Sequence, residues 1–259
     1  MGTLSTDAYD ALAPFYDTFT AHHDYEHWIA ALERLAREHG LRGDQLLDVA
    51  CGTGKSCAPF VTRGYAVTGC DGSQAMLDRA RVRLPASVRL VRRDLRALGR
   101  LGRFDLVCCI DDGLNYLLRE AELVRALRGM AAQLAPGGVV LFDLNTLATY
   151  RGFFATETTV STPSHDLRWR GLATAAFAPG AVAQASLDIV ARGGGAPVRT
   201  LHRQRHHTPA VVDRAVAAAG LELVARCGQD LAGAIDDELD ERRHTKALHI
   251  ARSVRPGRS

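Results

Sequence analysis

Five short apolar runs, each closed by a turn signal, recur through the first 145 residues, and segments of helical spacing lie between them. Gln45-Leu46-Leu47-Asp48-Val49-Ala50 is the first. Its length suits a buried parallel strand. Gly52-Thr53-Gly54 follows, and then a segment that reads as helix from Thr53 to about Arg63. The same reading places strands at Tyr65–Cys70, Val88–Arg92, Phe104–Ile110 and Val139–Leu144. Helices are predicted over Gln74–Leu84, with Ser73 as N-cap, and over Glu120–Leu134. In the latter, Leu123, Leu127, Met130 and Leu134 form one stripe, the pattern of a helix packed on a sheet.

The flanks differ from this alternation. Residues 1–40 are expected to form a helical cap, its second helix over 25–39 with Trp28, Leu32, Leu35 and His39 at helical spacing. After the fifth strand, about sixty residues precede the next helix, Pro209–Ala219, which Thr208 would cap. A structureless loop of that length inside a domain is uncommon. Its residues instead read as extended runs: Thr156–Thr162, Leu167–Phe177, Ala181–Ala191 and Val198–His206. Pro179-Gly180 and Gly193-Gly194-Gly195 punctuate them as hairpin turns. The expectation is an antiparallel β insert over 151–207, splitting a core of 41–150 and 208–259. Leu221–Cys227 and Ala247–Arg252 would complete the core as strands six and seven. The acidic run 236–241 between them reads as a solvated loop, and the tail from Pro256 as frayed.

Composition narrows the class. The 259 residues are 47% hydrophobic, enough for one sizeable elaborated domain. No run approaches the roughly 18 to 20 apolar residues of a membrane span. Met1–Asp10 has neither a basic start nor an apolar core, so no signal peptide is expected and the location is read as cytoplasmic. The six cysteines contain no C-x-x-C pair and read as reduced, buried thiols. A net charge of +3 is too small to argue for nucleic acid. His22, His23 and His27 cluster without enough ligands at fitting spacing for a metal, and no metal is expected. Lysine occurs only at 55 and 246; arginine carries every other basic position.

Candidate chemistry begins at the glycine turn. Glycines after a strand let a ligand approach the backbone closely, and the following helix presents free N–H groups. Asp71, closing the second strand, lies near the roughly 20-residue distance of an acid that accepts hydrogen bonds from a ribose. The pattern Asp48-x-Ala50-x-Gly52-x-Gly54 resembles motif I of class I S-adenosylmethionine-dependent methyltransferases, D/E-x-G-x-G-x-G, with Ala50 in place of the first glycine. Leu134-Ala135-Pro136-Gly137-Gly138 before the fifth strand is also typical of that family. Ala8-Tyr9-Asp10-Ala11-Leu12-Ala13-Pro14-Phe15-Tyr16-Asp17 resembles the opening of its small-molecule branch, near glycine and sugar N-methyltransferases and antibiotic-tailoring enzymes.

The resemblance implies an α/β fold: a doubly wound, seven-stranded Rossmann-like sheet with the antiparallel β insert after strand five. It implies S-adenosyl-L-methionine as cofactor, held by Tyr16, Ala50, Gly52, Thr53, Gly54, Asp71, Gly72, Met76, Asp94, Leu95, Ile110 and Asp111. In the family, the acid at Asp94 meets the adenine amino group. The N-P-P-Y-type signature of DNA and glutamine methylation is missing, since strand four ends in Ile110-Asp111-Asp112-Gly113.

Methyl transfer from a sulfonium is an in-line displacement, so the protein mainly supplies positioning and desolvation. Asp112, Asn115 and Tyr116, just past strand four, are candidates for orienting or deprotonating the acceptor. His165, Trp169, His202, His206 and His207 belong to the insert or its return, and any of the histidines could act as a base. The expected partner is a small-molecule acceptor with an N, O or C nucleophile, closed in by the insert acting as lid, with no nucleic acid and no membrane. The chain is expected as a monomer or homodimer. Two rivals stay open: an RNA or protein methyltransferase using Arg168, Arg170, Arg192, Arg199, Arg203 and Arg205, and a binder of the cofactor that methylates nothing.

Overall fold

The computed structural model describes residues 4–254, so the tail from Pro256 lies outside the described residues. Three helices open the chain: α1 (Leu4–Leu12), α2 (Tyr16–Phe19) and α3 (Tyr25–Glu38). The alternating part follows as β1 (Gln45–Val49), α4 (Cys57–Thr62), β2 (Ala66–Asp71), α5 (Gln74–Arg83), β3 (Arg89–Arg92), β4 (Phe104–Cys109), α6 (Glu120–Ala131) and β5 (Leu134–Asn145). Then come α7 (Leu147–Arg151), β6 (Glu157–Ser161), β7 (His165–Gly171), β8 (Val182–Ala191) and β9 (Val198–Arg205). The chain closes with α8 (Pro209–Ala218), β10 (Leu221–Gln229), β11 (Ile235–Asp236) and β12 (Lys246–Ser253).

The main sheet runs β11-β10-β12-β5-β4-β1-β2-β3. β1 to β5 pair in parallel, and β12 enters antiparallel between β5 and β10. The expected seven strands are present, and β11 is an eighth of two residues. It lies in the acidic connection, where Asp236 and Ile235 pair with Gly228 and Gln229 of β10. Asp236 also accepts from His244 and Arg243, so this part of the acidic run is pinned to the sheet edge. α4 starts four residues later than predicted because the glycine turn occupies 52–56. α6 stops at Ala131 because Leu134 already pairs with Phe104, and β5 takes in Pro136-Gly137-Gly138 at a register shift.

Helices cover both faces. On one, Leu123, Leu127 and Met130 of α6 and Val212 and Val216 of α8 bury against Val107, Val140 and Phe142. On the other, Ile29 and Leu32 of α3, Phe60 of α4 and Leu77 of α5 meet Leu46, Leu106 and Leu141. Each such side chain contributes about 1.5–3 kcal/mol.

β6 to β9 form a separate four-stranded antiparallel sheet in chain order. Leu167, Trp169, Leu187 and Ile189 alternate onto its inner face and pack with Leu12, Tyr150 and Phe154, and with Phe15 and Phe19 of the opening segment. The outer face carries the arginines in ion pairs: Arg168 and Arg192 with Asp166, Arg170 with Glu157, Arg199 with Asp188. β7 ends at Gly171 rather than running to Phe177, since the Gly171 backbone lies against Phe154 and Phe177 folds back under Tyr150. All six cysteines are buried and free.

Candidate functional site

A cleft opens at the carboxyl ends of β1, β2 and β4, where an open α/β sheet binds ligands. β1 ends in a left-handed turn: Ala50 has φ +61°, Gly52 +54° and Gly54 +77°. For a residue with a Cβ this conformation costs on the order of 1–2 kcal/mol. Ala50 carries that cost at the position where the motif has glycine. Ala50, Gly52 and Thr53 line the cleft from β1; Asp71, Gly72 and Met76 from β2 and α5; Asp94 and Leu95 from the turn after β3; Ile110 and Asp111 from β4; and Tyr16 from the opening segment.

Gly54 stands apart from this group. A Cβ built there would lie 2.7 Å from Leu84 Cδ1 and 3.3 Å from Ala80 Cβ, facing the end of α5 and not the cleft. Gly54 is not among the residues lining the cleft, and the side of it that a Cβ would occupy is set by packing on α5. Gly54→Ala should destabilise the fold by roughly 2–4 kcal/mol, combining the left-handed angle and the overpacking. Urea unfolding with an unchanged m-value checks this; a loss under about 0.5 kcal/mol would show that α5 shifts freely.

Asp71 organises the rim. Its carboxylate accepts the Gly52 N–H at 3.0 Å and the Ser73 N–H at 2.8 Å, fixing the glycine turn to the start of α5. Burial raises its pKa, and those two N–H groups offset part of the rise. Asp94 accepts the Arg96 N–H at 2.7 Å and pairs with the Arg96 guanidinium at 3.2 Å.

The opening helices lie over the cleft. Asp17 accepts from Thr53 Oγ1 at 2.7 Å and pairs with Arg83 at 2.5 Å. Lys55 Nζ donates to the Thr20 carbonyl at 2.8 Å and lies 4.8 Å from the Tyr25 ring centre. Tyr25 and Tyr16 both donate to Asp111 Oδ2, at 2.6 and 3.3 Å.

Behind Asp111 is a buried charge cluster. Lys246 Nζ, on β12, lies 2.8 Å from Asp143, 3.3 Å from Asp111 and 3.4 Å from Asp112. Three carboxylates thus share one ammonium. Burial raises Asp112, Lys246 opposes the rise, and Asp111 and Asp143 add to it, leaving it at about 7. For Asp111 burial acts upward, but Lys246, His23 and the Tyr25 hydrogen bond hold its pKa below the usual range.

The three residues past β4 divide. Tyr116 lines the cleft. Asp112, with φ +58°, accepts from Lys246 and Gln204 and lies outside the lining. Asn115 is fully buried: its Oδ1 accepts the Asn145 N–H at 3.0 Å and its Nδ2 donates to the Arg205 carbonyl at 2.9 Å. It fastens the return of the insert to the end of β5, which removes it from reach of an acceptor. Of the insert residues, Trp169 packs in the inner core and His165 lies tilted against Phe15. His206 accepts from the Gly180 N–H and bonds Glu241. His207 is buried without a side-chain partner. His202 alone of the five reaches a residue of the cleft, Tyr116.

Tyr9, Tyr25, Cys51, Lys55, Ser56, Ser73, Arg96 and Gly113 also line the cleft and were not singled out. A signal was present for the cations: Lys55 and Lys246 are the chain's two lysines, and both land at this site. Among the described residues no group of three or more potential ligands could hold a metal ion, and no helix is long and apolar enough to cross a membrane.

Residues 46–138 match a methyltransferase domain family. A dTDP-3-amino-3,6-dideoxy-alpha-D-glucopyranose N,N-dimethyltransferase of Streptomyces fradiae is 39% identical over 122 residues, 46% of this chain and 47% of that protein. The chain spans about half the length of the sequence relatives it matches. Among solved structures, an S-adenosylmethionine-dependent methyltransferase from Clostridium acetobutylicum superposes with a TM-score of 0.76 at 21% identity, covering 95% of this chain and 98% of that one. The sugar N-methyltransferase KedS8 from Streptoalloteichus sp superposes with a TM-score of 0.71 at 25% identity, covering 92% and 93%. The glycine turn, the acid closing β2, the strand order and these likenesses agree: residues 46–138 are a methyltransferase domain, carried on the fold of the S-adenosylmethionine-dependent methyltransferases.

Proposed function

We propose that this protein transfers a methyl group from S-adenosylmethionine to an amine nitrogen of a small molecule. The observation that carries the reading is the cleft itself: a carboxylate at the end of β2 beside the glycine turn, and a second at the end of β4 under two tyrosine hydroxyls. The residues present fit the cofactor. A Cβ at Gly52 would have nothing within 4 Å, so the cleft reaches the glycine backbone unobstructed. Asp71 uses two of roughly four lone-pair sites on the protein, which leaves acceptors for ribose hydroxyls. The turn at Gly52 and Thr53, Asp71, Asp94 with Leu95, Ile110 and Tyr16 would hold it. S-adenosylmethionine supplies an electrophilic methyl on a sulfonium that carries its own leaving group.

An amine attacks in its neutral form and gains positive charge as the bond forms. Asp111 supplies a fixed negative charge in the lining, and the surplus of carboxylates over Lys246 suits a nascent ammonium. The Streptomyces fradiae relative is an N,N-dimethyltransferase of a dTDP-amino sugar and KedS8 is a sugar N-methyltransferase, which supports the same class of acceptor. The opening helices (residues 1–40) and the insert (151–207) would enclose that acceptor over the core, since they share one apolar cluster at the cleft mouth. A polymer is disfavoured, because Arg168, Arg170, Arg192 and Arg199 already face carboxylates.

Incubation with S-adenosylmethionine and dTDP-3-amino-3,6-dideoxyglucose should release S-adenosylhomocysteine and yield mono- and dimethylated amine by mass spectrometry. No transfer to this amine or to glycine, alongside methylation of RNA or protein in extract, would sink the proposal.

A further inference from the structure

Strand β9 reverses the ordinary pattern of a strand over a core. Leu201 and Arg203 face outward, with Leu201 45% exposed, while Thr200, His202 and Gln204 are buried inward. Buried polar side chains on an apolar face are costly unless bonded. Gln204 is accounted for by Asp112 and Asn145. Thr200 and His202 are accounted for by a chain that runs to the cleft.

The direction of that chain follows from its inner end. Thr200 Oγ1 donates to the Leu187 carbonyl, its cross-strand partner, at 3.3 Å. Its oxygen is then the acceptor in the 3.1 Å contact with His202 Nε2, so Nε2 carries the ring hydrogen. Nδ1 is left bare and accepts the Tyr116 hydroxyl at 3.0 Å. Tyr9 of α1 donates its own hydroxyl to the Tyr116 oxygen at 3.0 Å. The Tyr116 proton is thereby committed away from the cleft.

We propose that His202 is a positioning residue: it turns the Tyr116 hydroxyl so that Tyr116 meets the acceptor as a hydrogen-bond acceptor, not a donor. This rests on the functional reading above and deepens it. An acceptor N–H held by the Tyr116 oxygen has its lone pair directed elsewhere, as an in-line displacement requires. The ring stays neutral for the task, since burial pushes the His202 pKa down to about 4. The chain also spans three separate parts of the protein, with Tyr9 from α1, Tyr116 from the turn after β4 and His202 from the insert. Orientation of the hydroxyl therefore depends on the insert being docked.

The test is nitrogen NMR of imidazole-labelled protein saturated with S-adenosylhomocysteine, together with kinetics using dTDP-3-amino-3,6-dideoxyglucose. His202 should show a protonated Nε2 and a bare, hydrogen-bonded Nδ1, and the Nδ1 resonance should move in Tyr116→Phe. His202→Phe should keep the fold and the S-adenosylhomocysteine affinity but lower kcat by on the order of 10²-fold. His202→Asn, whose amide oxygen can stand where Nδ1 stood, should recover most of that loss. The Tyr116→Phe/His202→Phe double variant should be no slower than the slower single one. A protonated Nδ1, unchanged kcat in His202→Phe, or multiplied losses in the double variant would each overturn the assignment. Absence of turnover by the wild type would count against the amine reading, while the nitrogen resonances decide the Tyr116 orientation separately.

Discussion

Replacing Lys246 by methionine should lower stability at pH 8 by roughly 3–5 kcal/mol, the size expected when a buried charge pair loses one partner. Methionine approximates the length of the lysine stem, so a cavity is not the cause. The cause is three carboxylates, at 2.8–3.4 Å in the native protein, left without a cation. The loss should depend on pH in a specific direction. The folded pKa of Lys246 is raised, so its contribution is fully present below its unfolded pKa and disappears only as pH rises through the folded one. Asp112 and Asp143 are raised instead, Asp112 to about 7. A raised carboxylate binds protons more tightly when folded, so it favours folding as pH falls from its folded value toward its unfolded one. Without Lys246 that rise grows. The deficit should therefore be largest above pH 7 and shrink toward pH 5. Asp111, which Lys246 helps to hold low, rises as well in the variant and adds to the same trend. Urea unfolding of both proteins at pH 8 and 5.5 reads the difference. Equal deficits at the two pH values would assign the effect to packing rather than to the charge of Nζ, which lies 5.7 Å from the Trp28 ring centre.

Asp71→Ala should raise the dissociation constant for S-adenosylhomocysteine roughly 10- to 150-fold, corresponding to about 1.5–3 kcal/mol for hydrogen bonds to a charged group. Two effects combine. The acceptor for the ribose hydroxyls disappears, and the Gly52 and Ser73 N–H groups lose the carboxylate that aligns them. Asp71→Asn separates the two, because one oxygen remains while the charge does not; its loss should be smaller. Calorimetry on folded protein decides. Unchanged affinity in Asp71→Ala would mean that the nucleoside does not lie along the end of β2.

The sheet was legible because its strands are short apolar runs closed by turns, and a strand buried on both faces has no other sequence form. The positions at strand ends followed directly: Asp71 and Asp111 are the first polar residues after each run, and the cleft lies there. The part that escaped depends on residues distant in sequence. Nothing local marks Asn115 as the fastener of Asn145 and Arg205, or sends Asp112 toward Gln204 instead of the cleft. The packing at Gly54 was not legible because its neighbours, Ala80 and Leu84, arrive from the end of α5, beyond β2. Tyr25 looked like the start of an amphipathic helix, and only the fold brings its hydroxyl to Asp111.

The single amide of Asn115 also closes the neck of a long excursion. It grips the chain at Asn145, where β5 ends, and at Arg205, just before the return to α8, so both ends of the excursion meet at one side chain. Once a neck is closed, the entropy of the loop beyond it grows slowly, by about 0.6 kcal/mol for each doubling of its length. Residues added at the exposed Gly193-Gly194-Gly195 turn should thus be tolerated without strain reaching the main sheet. A protein built this way can lengthen, shorten or exchange its hairpins over generations while the glycine turn and Asp71 stay where they are.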